Sequence, residues 1–169
     1  MLEKTPKSIL KEYFGYDEFR PLQEQIINSI LANNDTLALL PTGGGKSLCF
    51  QVPAMCLEGV CLVVTPLIAL MNDQVFHLNK KGIPAAMINA SIPQNQIDRI
   101  LNNCVFKQYK FLYIAPERIK NKDFIEKLKE INISFIAIDE AHCISQWGYD
   151  FRPAYLKISA LKEIGRAHV

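Results

Sequence analysis

Thr36-Leu37-Ala38-Leu39-Leu40-Pro41-Thr42-Gly43-Gly44-Gly45-Lys46-Ser47 is the stretch that decides how this chain is read. An apolar run of strand length leads into three consecutive glycines, and Lys46-Ser47 then opens a segment with helical spacing. Strand, glycine turn and helix in that order are the context a phosphate-binding loop requires. Glycines let successive backbone N–H groups turn toward an anion with no Cβ in the way, and the N-terminus of the following helix adds its positive dipole end. Thr42, Gly43, Gly44 and Gly45 are therefore candidate phosphate contacts. Lys46 is placed to reach the β- and γ-phosphates of a nucleotide, and the Ser47 hydroxyl to meet Mg2+. The strict form of such loops has a glycine where this chain carries Leu40. A glycine-rich turn with an incidental Lys-Ser pair is the bland alternative.

A second signal is Ile136-Ala137-Ile138-Asp139-Glu140-Ala141-His142, an apolar strand that ends in two acids. A carboxylate at the C-terminal edge of a parallel sheet sits in the crevice where ligands bind. Asp139 is a candidate to hold Mg2+ through its water shell, and Glu140 to orient and deprotonate an attacking water. Alone, such a pair serves equally well as a helix cap. Together with the upstream loop it points to a nucleoside triphosphatase.

Outward from these motifs, short apolar runs alternate with longer periodic segments. The strand candidates are residues 36–40, 60–65, 85–89, 111–115 and 133–139, which lack polar alternation and so predict burial on both faces. Helical spacing covers 46–57, 67–80, 94–106 and 123–131, the last with Asp123 as its N-cap. Two further helices, about 8–14 and 21–31, precede the first strand, with Pro21 in a first helical turn. The alternation predicts an α/β fold, a parallel sheet with helices on both faces. With 169 residues, 49% of them hydrophobic, one domain with a sizeable core is available. Lys+Arg 19 against Asp+Glu 17 leaves +2, which excludes a histone-like polycation or an acidic tail and restricts any nucleic-acid contact to a local patch. The lysines at 120, 122, 127 and 129 read as a solvated helix face. Five cysteines without a C-x-x-C pair argue against a disulfide framework and against zinc, and make a reducing cytoplasm the expected compartment. Apolar runs are of strand length, and the first ten residues carry charges and Pro6, so neither a membrane span nor export is expected.

Beyond the box lies Cys143-Ile144-Ser145-Gln146-Trp147-Gly148-Tyr149-Asp150-Phe151-Arg152-Pro153. With the phosphate loop and Asp139-Glu140-Ala141-His142, this segment resembles the first motor domain of the RecQ-family ATP-dependent DNA helicases, of superfamily 2, over about residues 8–162. The resemblance implies a RecA-like P-loop domain with ATP and Mg2+ as cofactors. It also implies ATP hydrolysis coupled to DNA unwinding with 3′-5′ polarity in repair and recombination, with single strands and duplex junctions as partners, in a bacterial-type cytoplasm. Phe14-Gly15-Tyr16 followed by Phe19-Arg20-Pro21-Leu22-Gln23 is similar to the family's adenine-reading motif, which assigns Tyr16, Arg20 and Gln23 to the base. A Gln amide suits that role, because it donates and accepts at once to an adenine edge. Without the resemblance, a helix start with a solvated Gln23 and Tyr16 in the core would be preferred. Thr65-Pro66-Leu67-Ile68-Ala69-Leu70 with Asp73-Gln74, and Ala115-Pro116-Glu117-Arg118, are similar to strand-end motifs that touch the nucleic-acid backbone, which assigns Thr65, Pro66 and Arg118 to DNA. His142 enters through the box, and the resemblance assigns it to DNA contact and its coupling to hydrolysis. Trp147, Phe151 and Arg152 lie on the loop that couples DNA contact to hydrolysis in this family. An aromatic there can stack on an exposed base and an arginine can meet a phosphate, whereas a core tryptophan is the alternative.

The expected layout is 1–34 for N-terminal helices with the adenine motif, 35–162 for the ATP-binding domain, and 163–169 for a tail. That tail back-translates to a sequencing-adapter read and is expected to be non-native; a short helix end with Gly165 as its cap is the alternative. Motors of this family use two such domains, the second contributing an arginine to the nucleotide. The Ser/Thr-Ala-Thr motif, which in related motors lies on a strand between the phosphate-loop strand and the DEAH strand, does not occur after the box. The domain is therefore expected to be truncated before its last strands, with a gap at the centre of its sheet and a tendency to aggregate. Two other function classes share the loop and box. A superfamily 2 helicase acting on RNA is separated by the Trp147 loop and by whether DNA or RNA stimulates hydrolysis, and a non-catalytic nucleotide-binding fragment would keep the Lys46 contacts without turnover.

Overall fold

The computed structural model describes residues 4–41 and 43–144, together with 159, 161 and 164. They fall into two compact units, one reaching Glu58 and the other starting at Gly59. The helix that follows the glycine loop thus belongs with the N-terminal helices, whereas the sequence grouped it with the strands.

In the first unit, helix α1 (Pro6–Ile9) starts where the Thr5 hydroxyl accepts the Ser8 N–H at 3.2 Å and Pro6 occupies the first helical position. It widens into one π-helical turn over Leu10–Phe14 and stops at Gly15. Helix α2 (Gln23–Leu31) follows Leu22, whose φ is +69°, so Pro21 stands before the helix and not in its first turn as the sequence predicted. Helix α3 (Lys46–Cys56) packs on α2, and Ile9, Leu10, Ile27, Ile30, Cys49 and Val52 form the buried seam.

Residues 36–40 correct the sequence reading. They form no strand, and Leu37 and Leu39 are 68% and 80% exposed. Strand preference expresses packing against neighbours more than a backbone tendency. Without a hydrogen-bonded neighbour, neither the ladder nor the burial follows from the apolar composition.

The second unit holds four strands: β1 (Val60–Val64), β2 (Ala85–Ile88), β3 (Phe111–Ile114) and β4 (Ile133–Ile138). All pairings are parallel, in the order β2-β3-β1-β4, and each lies within the span expected for it. Helix α4 (Ile68–Lys80) joins β1 to β2, α5 (Gln94–Val105) joins β2 to β3, and a 3-10 turn (Pro116–Lys120) with α6 (Lys122–Leu128) joins β3 to β4. The cap of α6 is Asn121, whose side chain accepts the Phe124 N–H at 3.1 Å, and not Asp123. Asn121 has the extended backbone that an N-cap needs, while Asp123 already lies inside the helix.

Alternation along the strands splits the core. Leu62, Val64, Ile88, Leu112, Ile114 and Ile136 join Ile97, Leu101, Phe124 and Leu128 of α5 and α6 in one cluster. Cys61, Val63, Phe111, Tyr113 and Phe135 are equally buried, and the Tyr113 hydroxyl donates to Gln74 Oε1 of α4 at 2.7 Å. Gln74, expected beside DNA, thus braces α4 on the sheet. Burial pushes the Cys49 and Cys104 thiols up to about 11 and about 12, and the Cys61 thiol further still. No described helix is long and apolar enough to cross a membrane.

Asn79 at the end of α4 fixes the entry to β2. Its amide donates to the Ala85 carbonyl and accepts the Ala85 N–H, both at 3.0 Å. Asn79→Ala leaves both backbone groups of a buried residue unpaired, at about 1–3 kcal/mol each less whatever water recovers. Denaturant titration should show a lower midpoint with an unchanged slope; an unshifted midpoint would mean that the strand entry is held otherwise.

Candidate functional site

One group of candidate residues lies within the N-terminal unit. Gly43 and Gly45 have φ of +77° and +75°, the left-handed region, and the Gly44 N–H closes a tight turn onto the Pro41 carbonyl at 2.9 Å. The glycine carbonyls are held from one side. Arg20 Nη1 donates to the Gly43 carbonyl at 2.5 Å, and Gln23 Nε2 donates to the Gly45 carbonyl at 3.1 Å and to that of Gly44 at 3.5 Å. Gln23 is 1% exposed, and its Oε1 accepts the Arg20 N–H at 2.8 Å, so both ends of the amide are engaged. Lys46 and Ser47 are the first two residues of α3, Lys46 exposed and Ser47 half-buried. A cavity of about 260 Å³ opens beside the loop, lined by Leu10, Tyr16, Arg20, Gln23, Gly43 and Leu48 among others. Tyr16, Arg20, Gln23, Gly43, Gly44, Gly45, Lys46 and Ser47 are therefore brought together, while Thr42 lies outside the described residues. Leu10 and Leu48, apolar walls of the cavity, were legible in the sequence only as helix-face residues.

A second group of candidate residues lies at the C-terminal edge of the sheet in the other unit. The ladder runs one residue past β1, β3 and β4. Thr65 N–H donates to Ile114 at 3.2 Å, Ala115 N–H to Ile88 at 3.2 Å and Asp139 N–H to Val64 at 2.9 Å. Asp139 and Glu140 are half-buried there. Glu140 has φ +55°, a conformation that costs a side-chain-bearing residue about 1–2 kcal/mol. Its N–H donates to Asp139 Oδ1 at 3.0 Å, its carbonyl accepts the Cys143 N–H at 2.9 Å, and its carboxylate lies 3.2 Å from His142 Nδ1. A 3-10 turn over Ala141–Ile144 follows. Mg2+ is held in nucleotide sites by one or two carboxylates plus phosphates and its own waters; the half-buried Asp139 carboxylate of this unit and, separately, the Ser47 hydroxyl of the other are each donors of that chemical kind.

The remaining expected contacts fare differently. Thr65 and Pro66 are buried, and the Thr65 hydroxyl has no hydrogen-bond partner, so neither side chain presents a surface to DNA; Leu67, Ile68 and Ala69 are the exposed residues of that segment. Arg118 is half-buried and its Nη2 donates to the Asn89 carbonyl at 2.6 Å, so it fastens the turn after β2. Asn89 completes that turn by accepting the Ser91 N–H and hydroxyl at 2.9 and 2.6 Å. An Asn two residues before a Ser at a strand end carries that signal in sequence. Trp147, Phe151 and Arg152 lie outside the described residues.

These features define a class. The chain belongs to the DEAD/DEAH box helicase family, whose family model matches residues 20–167. Within it, the chain is similar to the ATP-dependent DNA helicase RecQ of Haemophilus influenzae, 47% identical over 163 residues, which covers 96% of this chain and 26% of the relative. It is likewise similar to the ATP-dependent DNA helicase RecQ of Bacillus subtilis, 47% identical over 156 residues, 92% of this chain and 26% of the relative. The chain thus spans about a quarter of the length of these curated relatives. Among solved structures, the DUF1998 helicase MrfA superposes with a TM-score of 0.69 at 19% identity, over 94% of this chain and 26% of that one, a likeness of fold.

The strained turn at Glu140 gives a direct test. Removing the carboxylate while keeping a Cβ, Glu140→Ala, retains the left-handed cost; Glu140→Gly relieves it and spends about 0.5–1 kcal/mol of backbone entropy in return. Glu140→Gly should therefore be the more stable of the two by up to about 1 kcal/mol in thermal or denaturant melts. A Glu140→Ala protein that melts clearly above Glu140→Gly would show that the turn stores less strain than the backbone entropy glycine spends.

Proposed function

We propose that this chain is the nucleotide-binding part of the first motor domain of a RecQ-type DNA helicase. It would hydrolyse ATP and unwind DNA with 3′-5′ polarity in repair and recombination, in the cytoplasm on nucleoid DNA. The observation that carries the reading is the glycine loop ahead of Lys46 and Ser47 on α3, in one chain with a strand-end Asp139-Glu140 pair. The names of the relatives support DNA as the nucleic acid.

In this reading the loop N–H groups and Lys46 bind the polyphosphate, and Tyr16 and Arg20 face the base from the adjoining cavity. Ser47 and Asp139 would each offer an oxygen to Mg2+, which would offset phosphate charge. Glu140 orients the attacking water and takes its proton, with His142 fixing the carboxylate that does so. Trp147, Phe151 and Arg152 meet single-stranded DNA by stacking and by phosphate contact.

Lys46→Ala should abolish hydrolysis and weaken nucleotide binding, because the charge that compensates the phosphates is lost. Glu140→Gln should bind ATP yet turn over about 100- to 10,000-fold more slowly, the contribution typical of a general base. Phosphate release and equilibrium binding on the intact protein decide this, and unchanged turnover in Glu140→Gln rejects the assignment.

Trp147→Ala should lower the DNA-stimulated rate while leaving the rate without DNA nearly intact, since stacking on a base is worth roughly 1–3 kcal/mol and exists only in the DNA-bound state. Equal loss with and without single-stranded DNA would place Trp147 in the core instead.

A further inference from the structure

The sheet of the second unit has an open side. Among the described residues β2 is an outer strand, in the order β2-β3-β1-β4. Its inward bonds show at Pro84 and Ile88, whose carbonyls accept the Phe111 N–H at 3.3 Å and the Ala115 N–H at 3.2 Å. Along a strand the N–H and C=O of one residue point to one side and those of the next residue to the other. With Pro84, Ala86 and Ile88 turned to β3, the backbone groups of Ala85 and Met87 face outward, the row that an added strand would use. At Ala85 that row is already taken. Asn79 Nδ2 donates to the Ala85 carbonyl and Asn79 Oδ1 accepts the Ala85 N–H, both at 3.0 Å, the pair of bonds that a neighbouring strand would make. Beside this clasp stands an uncovered aromatic. Phe76 lies one turn before Asn79 on α4 and is 64% exposed, on a stripe with Asn72 and Asn79 that stays out of the core while Met71, Val75 and Leu78 enter it.

We propose that the outer edge of β2, with Phe76 beside it, is a surface for pairing with a second copy of this chain, and that Asn79 holds it shut. The choice of partner follows from the chemistry. Each residue on the edge carries one donor and one acceptor, so the edge is complementary to itself. Two copies related by a two-fold axis would set the Ala85 and Met87 groups of one against those of the other, antiparallel, and would cover Phe76 of each. In a strand of four residues, Ala85–Ile88, the clasp ties up one of the two outward residues and leaves too short a row for stable pairing. Short and blocked edges are the means by which sheets stay apart. Neither Asn79 nor Phe76 belongs to the two groups of candidate site residues, so this surface stands whether or not the chain binds a nucleotide.

Sedimentation velocity on the intact chain, over a concentration series and well below its melting temperature, reads the pairing. Asn79→Ala should raise the self-association constant at least about tenfold over the parent's, the scale of one net hydrogen bond, with a discrete dimer as the product. Asn79→Asp separates pairing from lost stability. Position 79 is exposed, so the new carboxylate stays solvated; it still accepts the Ala85 N–H, loses the bond to the Ala85 carbonyl, and sets like charges against each other across the pair. Asn79→Asp should therefore melt below the parent yet associate no more than the parent. Phe76→Ser in the Asn79→Ala background should return association to the parent's level, and because Phe76 is exposed the change leaves the core untouched. Asn79→Ala that associates no more than the parent, Asn79→Asp that associates as strongly as Asn79→Ala, or association indifferent to Phe76→Ser each overturns the proposal and leaves Asn79 as a brace of the strand entry alone.

Discussion

Every functional position in the second unit depends on the pairing of β1 on both sides. Val64 aligns with Ile114 in one direction and Ile138 in the other, and Ile88 aligns with Ile114 beyond it. Because the strands are parallel and in register, their ends fall on one line, and Thr65, Asn89, Ala115 and Asp139 emerge together. A parallel ladder of this kind forces each connection through a helix, so α4, α5 and α6 follow from the same constraint. The wholly buried β1, five apolar residues with no exposed face, makes the register costly to shift, since a slip of one residue would exchange the two faces of the core.

Function has been placed where this regularity stops. The glycine loop and the Glu140 turn are both left-handed departures, one made cheap by glycine and one tolerated by an acid. The difference is instructive. At the loop the left-handed positions are glycines, and a Cβ on Gly45 would lie 2.3 Å from Gln23 Nε2. At position 140 an acid stands in that conformation, and the surrounding bonds to Asp139 Oδ1 and from the Cys143 N–H hold a backbone that its Cβ resists.

Much of the architecture was legible beforehand. The strands at 60–64, 85–88, 111–114 and 133–138 announced themselves as short apolar runs, and α3, α4 and α5 by their spacing, because burial on both faces leaves no polar alternation to confuse the period. Residues 36–40 have the same composition and are not a strand, since composition does not encode whether a neighbour is present to pair with. The glycine turn ahead of α3 and the acidic pair at the end of β4 were legible because their signals are local in sequence. The engagement of Gln23 with the loop, of Arg118 with Asn89 and of Gln74 with Tyr113 was not, because each joins positions 21 to 39 residues apart and a polar side chain in sequence carries no sign of which partner it will meet. The cap at Asn121 was missed by two residues, the ordinary uncertainty of a boundary where two capping residue types stand close together.

Burial of the sheet also governs sulfur chemistry. Cys49, Cys61 and Cys104 are held as neutral thiols well above their usual range, and Cys143 is buried too, leaving Cys56 at the end of α3 as the half-exposed cysteine. Oxidants and alkylating agents attack the thiolate, so thiols kept protonated and covered react slowly. The same packing that fixes the strand ends thereby narrows electrophile access to one helix terminus, where a single reporter group could be attached without entering the sheet.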